Sequence, residues 1–261
     1  MTELDRISLE LTNRCSKACW FCYNASDPEN TVRWDAGEVV DFVTDCAGNR
    51  IKAVSFGGGE PLEYPELFEV LVALRGLIFR SFTTNGLALD AAMDSVIGSA
   101  PDKVHVSIHF PGNDAEVSRA IRQVGALQAA GVASGINLLV RASQISDATS
   151  CAARVRASGI GNDRIVYLPM RGSDTPTAND LGRVAGGAQF QSMSCLMACA
   201  RSPSFVSIGA DRHVAWCSYT RSRHPLARPT YAALVAVLAE LGLDYCATPR
   251  VTRSLPVLVA T

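Results

Sequence analysis

The sequence predicts an α/β fold with parallel strands, either a partial barrel or an open parallel sheet. Two observations carry this. Strand-like and helix-like segments alternate regularly between residues 7 and 169, and such alternation means parallel strands joined by right-handed crossovers. Six strand–helix steps are found, fewer than the eight of a closed barrel.

In order, residues 7–11 (ISLEL) form a short strand that ends at a cysteine-bearing loop. Residues 36–46 read as a helix and 51–56 (IKAVSF) as a strand stopped by glycines 57–59. Residues 65–77 are helical, and 79–82 form a strand ending in TTNG. Residues 90–97 are helical; 104–109 (VHVSIH) alternate as a strand and stop at Pro111-Gly112. An amphipathic helix over 114–130 ends at Gly131, and 135–141 (GINLLVR) is a strand. A helix over 148–157 and a strand over 164–169 (RIVYLP) complete the series.

The chemistry-bearing residues fall just after these strands. The cysteine loop follows the first, Gly57–Pro61 (GGGEP) the second and TTNG the third. Ser107 and His109 end the fourth, Arg141 ends the fifth, and Arg171 lies beyond the sixth. In a parallel sheet these positions gather at one mouth.

Composition limits the partners. The chain of 261 residues carries 24 Lys+Arg against 25 Asp+Glu, a net charge of −1. That balance argues against a nucleic-acid footprint and against a polybasic membrane contact. The apolar run over 231–239 is too short for a bilayer. Nine cysteines, an odd number, in a chain without a signal-peptide pattern at MTELDRISLE point to metal-bound thiols in a reducing cytoplasm rather than a disulfide framework.

Cys15, Cys19 and Cys22 are spaced C-x3-C-x2-C. Such a loop wraps three corners of a cubane iron–sulfur cluster and leaves one iron open for chemistry. A structural zinc knuckle or plain buried cysteines are the alternatives. The glycines of GGGEP let backbone approach a ligand closely, and Glu60 offers a carboxylate to a cationic amino group. His109 reads equally as a proton carrier or substrate contact and as a hydrogen-bonded structural histidine, whereas Arg141 and Arg171 read more often as ion-paired surface arginines than as grips for an anionic substrate. Cys46 and Cys151 read as small buried hydrophobes.

C-x3-C-x2-C with Phe21 before its last cysteine resembles the signature of the radical S-adenosylmethionine (radical SAM) superfamily. The resemblance covers residues 1–172 and implies a partial (β/α)6 TIM barrel. It also implies a [4Fe–4S] cluster on Cys15, Cys19 and Cys22, with S-adenosylmethionine on the open iron. By the same resemblance, Gly58, Gly59 and Glu60 contact the amino group of S-adenosylmethionine and Phe21 lies near its adenine. Ser107, Asn137 and Arg141 match, more loosely, positions that touch ribose or carboxylate.

The C-terminal third differs in character. Residues 172–187 are rich in Gly, Ser, Thr and Asp and read as a linker with room for one helical turn. Residues 205–208 and 213–216 flank GADR as a β-hairpin, and 231–241 form an amphipathic helix. With Cys195, Cys199, Cys217 and Cys246 this stretch resembles the twitch or SPASM-type extensions of radical SAM enzymes. That implies an auxiliary [4Fe–4S] cluster and a division into a core, 1–186, and an extension, 187–261. Arg212 stands where that pattern often has glycine. A zinc site, or a cysteine that donates a hydrogen atom, are the rival readings of these thiols.

The expected function is reductive cleavage of S-adenosylmethionine to a 5′-deoxyadenosyl radical, with hydrogen abstraction from a small-molecule or peptide natural product. Dehydrogenation, epimerisation and cross-linking stay open. An electron donor such as flavodoxin or ferredoxin is implied. No separate domain precedes Cys15, which leans toward a small molecule or a peptide delivered by a partner protein. The alternative is a non-catalytic iron–sulfur or zinc binding protein on the same barrel. The intact Gly58–Glu60 motif favours the enzyme.

Overall fold

The computed structural model describes residues 4–187, 204–220 and 222–242. Six parallel strands follow one another in chain order: β1 (Arg6–Thr12), β2 (Ala53–Gly58), β3 (Phe79–Thr84), β4 (Lys103–Ile108), β5 (Ser134–Val140) and β6 (Ile165–Pro169). Between them run α1 (Ala36–Gly48), α2 (Leu67–Ala73), α3 (Leu89–Ser99), α4 (Asp114–Ala129) and α5 (Ile145–Ala157). Consecutive helices touch one another and form an outer layer. The arrangement is the expected partial barrel.

Period-two patterning builds the core. On β1, Ile7, Leu9 and Leu11 are fully buried against α1, whose Val39, Phe42, Val43 and Cys46 are equally buried. Cys151 is also buried, on α5, so both it and Cys46 pack as hydrophobes. The inner face carries small polar residues instead. Ser207, Ser8, Ser55 and Ser81 stand in register across adjacent strands, and Ser8 and Ser55 border an internal cavity.

Two expectations shift. The helix expected over 65–77 is shortened to α2, with a 3-10 turn, Pro61–Glu63, before it. The expected linker over 172–187 contains α6 (Ala178–Val184), a seven-residue helix. Its N-terminus is a reciprocal capping box between Thr177 and Asp180, which satisfies two orphan backbone donors.

The hairpin forms where expected, from β7 (Phe205–Ile208) and β8 (His213–Ala215), and β9 (His224–Pro225) extends it. It is not a free-standing ribbon. β7 pairs parallel with β1, so all strands join one sheet in the order β6-β5-β4-β3-β2-β1-β7-β8-β9. The last helix, α7 (Tyr231–Glu240), buries Leu234 and Leu238. The indole of Trp216 donates to Leu241 O at 3.1 Å, fixing the helix end to the strand. Cys195, Cys199 and Cys246 lie outside the described residues.

Candidate active site

A cavity of about 390 Å³ opens at the C-terminal ends of the strands. Cys15, Cys19 and Cys22 line it together with Phe21, Gly57–Glu60, Ser107, His109, Asn137 and Arg171. The mouth expected from the strand ends is therefore formed. Arg141 is not in its wall. Its guanidinium pairs with Asp174 at 2.7 Å and lies over the Trp20 ring at 4.9 Å.

The cysteine loop is curled by successive turns. Ala18 N donates to Cys15 O, Cys22 N to Cys19 O, and Ala25 N to Cys22 O. Ala18 and Ala25 are left-handed, with φ of 44° and 54°. Side chains tether the loop from several directions. Ser16 N and Oγ both donate to Glu63, at 2.8 and 3.0 Å. Lys17 pairs with Glu116 on α4. Asn85 Nδ2 lies 3.6 Å from Cys15 Sγ. Below the loop, the buried Glu10 carboxylate accepts from Tyr23 Oη and Asn24 Nδ2, and Asn24 Oδ1 lies 3.2 Å from Cys22 Sγ.

The glycine motif explains how β2 meets this loop. Gly58 has φ +112°, and a Cβ there would sit 2.4 Å from Thr12 O; one on Gly59 would sit 2.0 Å from Arg14 O. Gly59 N and Glu60 N donate to those same carbonyls. Glycine is thus demanded by the protein's own backbone, which docks the root of the cysteine loop on β2. A Cβ on Gly57 would meet nothing within 4 Å, so that face of the motif borders open cavity.

Glu60 is buried and accepts from Asn85 N at 2.7 Å and Leu62 N at 3.0 Å. Burial pushes its carboxyl up to about 7, against the hydrogen bonds that pull it down. His109 is held down to about 4, by burial first and then by Lys17, so its imidazole is neutral. Its Nδ1 is buried without a hydrogen-bond partner among the described residues. Burial also pushes the Cys19 thiol up to about 11, while Lys17 pulls it back. Phe21 packs against His109 and Phe110, with ring centroids 6.0 and 5.7 Å away. Asn137 Nδ2 donates to Thr83 Oγ1 at 3.4 Å.

Several cavity residues escape sequence reasoning. Lys17 is hidden inside the cysteine motif. Ser218 and Tyr219 arrive from beyond β8, next to Cys217. Asn85, by contrast, belongs to the TTNG segment expected at this mouth, and Gly86, whose φ is +78°, forms the turn that holds it there.

A family model for the radical SAM superfamily matches residues 9–171. The chain belongs to that superfamily. A probable GTP 3′,8-cyclase of Methanocella arvoryzae is 33% identical over 111 residues, 42% of this chain and 36% of that one. Mycofactocin maturase MftC of Mycobacterium tuberculosis is 29% identical over 125 residues, 48% of this chain and 32% of that one. The chain thus spans about a third of the length of the curated relatives it matches. Among solved structures, Streptococcus suis SuiB bound to S-adenosylmethionine aligns with a TM-score of 0.70 at 14% identity, covering 90% of this chain and 66% of that one. The structure of anSMEcpe with bound AdoMet aligns at 0.62 and 14% identity, covering 88% and 77%. At such identity they show the shared fold.

The radical SAM family implies S-adenosylmethionine and a [4Fe–4S] cluster, and the donor set fits the cluster. Three thiols from one loop line one cavity.

Proposed function

We propose that this chain is a radical SAM enzyme that cleaves S-adenosylmethionine reductively and abstracts hydrogen from a peptide or small-molecule natural product. The observation that carries the reading is the convergence of Cys15, Cys19, Cys22 and the Gly57–Glu60 strand end on one cavity. Bound there, the cluster and S-adenosylmethionine would together supply a 5′-deoxyadenosyl radical.

The chain's own residues do the holding. Cys15, Cys19 and Cys22 are the cluster ligands. Gly58 and Gly59 lock the cysteine loop to β2, and Glu60 faces the amino group of S-adenosylmethionine. Phe21 offers a ring to the adenine, and Ser107 and Asn137 offer polar groups to the ribose. Arg141, engaged by Asp174, acts on the cofactor only at a distance, by orienting Trp20 beside Phe21 (ring centroids 5.2 Å apart).

A peptide substrate is favoured by the solved relatives. SuiB was solved bound to its precursor peptide SuiA, and anSMEcpe with the Cp18Cys peptide. The GTP 3′,8-cyclases keep a small molecule in play. The division into a core, 1–186, and an extension, 187–261, with an auxiliary [4Fe–4S] cluster on Cys195, Cys199, Cys217 and Cys246, belongs to the same proposal. So do a flavodoxin- or ferredoxin-type electron donor and a cytoplasmic location. No helix among the described residues is long and apolar enough to cross a membrane.

The deciding test is anaerobic reconstitution followed by dithionite and S-adenosylmethionine. The native chain should release 5′-deoxyadenosine, and the Cys15→Ala, Cys19→Ala, Cys22→Ala triple variant should release none. Release by the triple variant would sink the assignment of these cysteines, and no release by the native chain would favour a binding protein that only borrows the barrel.

A further inference from the structure

Lys17 lies inside the cysteine motif, yet its side chain turns away from the loop surface and is only 9% exposed. Its ammonium meets Glu116 Oε1 at 2.8 Å, and the Glu116 side chain is 6% exposed. The same oxygen accepts the backbone N–H of His109 at 2.6 Å. Glu116 occupies the third position of α4, whose cap Asn113 accepts from Glu116 N. A glutamate there commonly reaches back to cap its own helix. This one reaches outward instead. The contact joins the cysteine loop, the end of β4 and the start of α4 across 99 residues of sequence.

Stability alone is a poor reason for such a pair. Two buried charges lose more hydration than a single contact readily returns, and apolar residues of equal volume often serve as well. The location supplies a better one. Lys17 borders the cavity between Cys15 and Cys19. Lys17 stands two residues from Cys15 and two from Cys19, so both charges of the pair lie beside the cysteine loop.

We propose that Lys17 and Glu116 are a positioning pair that pins the middle of the cysteine loop to α4 and sets the reduction potential of the cluster held by Cys15, Cys19 and Cys22. The proposal rests on the function proposed above. Reduction adds one negative charge to the cluster. A cation beside it stabilises the reduced form and an anion destabilises it. Lys17 therefore raises the potential and Glu116 lowers it.

The test is a redox titration of the full, anaerobically reconstituted chain, read by the electron paramagnetic resonance of the reduced cluster. In Lys17→Met the ratio of reduced to oxidised cluster at a fixed potential should fall about tenfold, equivalent to about 59 mV for one electron. Lys17→Arg should stay near the native value, and Glu116→Gln should move in the opposite direction to Lys17→Met. Shifts of the same sign, or an unmoved potential in Glu116→Gln, overturn the proposal. Should Lys17→Met fail to hold a cluster, the sign of the Glu116→Gln shift still decides. Melts of the metal-free single and double variants test the tether without any cluster, and strictly additive losses overturn it. A native chain that takes up no reducible cluster overturns the proposed function, and this inference with it. A native chain with a reducible cluster indifferent to both charges overturns this inference alone.

Discussion

Glu60 joins two strand ends. Its carboxylate, 2% exposed, accepts the backbone N–H of Asn85 after β3 while capping the turn after β2. Glu60→Ala should weaken S-adenosylmethionine binding roughly ten- to a hundredfold, the worth of about 1.5–3 kcal/mol for a lost charge-assisted hydrogen bond, with iron content unchanged. Calorimetry on the reconstituted chain checks this; equal affinity would place the amino group elsewhere. A second expectation concerns pH. The carboxyl titrates near 4.5 when free and near 7 in the fold, because burial outweighs its donors. The folded chain therefore holds the proton more tightly than the unfolded one. This stabilising contribution is full below about pH 4.5 and is lost as pH rises through about 7, on the order of 3 kcal/mol in all. Denaturant melts of the metal-free chain at pH 4.5 and 8, compared with Glu60→Gln, should show the native chain losing that advantage at the higher pH. A difference that stays constant across this window would mean that Glu60 is ionised throughout.

The turn between β7 and β8 shows how an element compensates a local cost. Arg212 has φ +60°, a left-handed conformation suited to glycine. The side chain recovers part of that cost by pairing with Glu38 on α1 and lying 4.8 Å over the Trp34 ring. Arg212→Ala loses the contacts and keeps the strain, whereas Arg212→Gly loses the contacts and relieves it. The glycine variant should therefore be about 1 kcal/mol more stable than the alanine variant in thermal melts. Equal stabilities would show that the turn relaxes when the arginine is removed. Strands and helices of this kind were legible because alternation and helical spacing are local: Ile7, Leu9 and Leu11 mark β1 without reference to any partner. α6 was not legible, because seven residues among Gly, Thr and Asp carry little apolar pattern and depend on the Thr177–Asp180 cap. The three cysteines and GGGEP were legible as a site. The reason for Gly58 and Gly59 was only half so, since the backbone they accommodate comes from Thr12–Arg14, more than forty residues away. Arg141 facing Asp174, and Lys17 facing Glu116, are pairings that only the fold brings together.

At the scale of the whole molecule, the C-terminal hairpin is bound into the barrel rather than hung beside it. β7 pairs with β1, the indole of Trp34 donates to Gly209 O at 3.1 Å, and Tyr231 N donates to Asp45 on α1 at 2.7 Å. Val206, Ile208, Val214, Leu226 and Leu234 belong to the same buried cluster as the barrel residues. Removing everything from Gly187 onward would strip an edge of β1 and expose that core. Loss of iron in such a truncation would thus not distinguish a missing ligand from a damaged barrel. Point substitution is the sharper experiment. Cys217 follows β8 and is half-buried, and its neighbours Ser218 and Tyr219 reach the wall of the cavity. A cluster bound there would stand beside the substrate space, as an electron relay or a substrate anchor. The native chain, reconstituted without oxygen, should carry about eight irons, four for each cubane. Replacing Cys195, Cys199, Cys217 and Cys246 together by serine should leave about four while preserving the melting profile of the barrel. Replacing Cys15, Cys19 and Cys22 instead should leave the other four. An iron count near four in the native chain, unaffected by the four serines, would remove the auxiliary cluster and leave those cysteines as zinc ligands or free thiols.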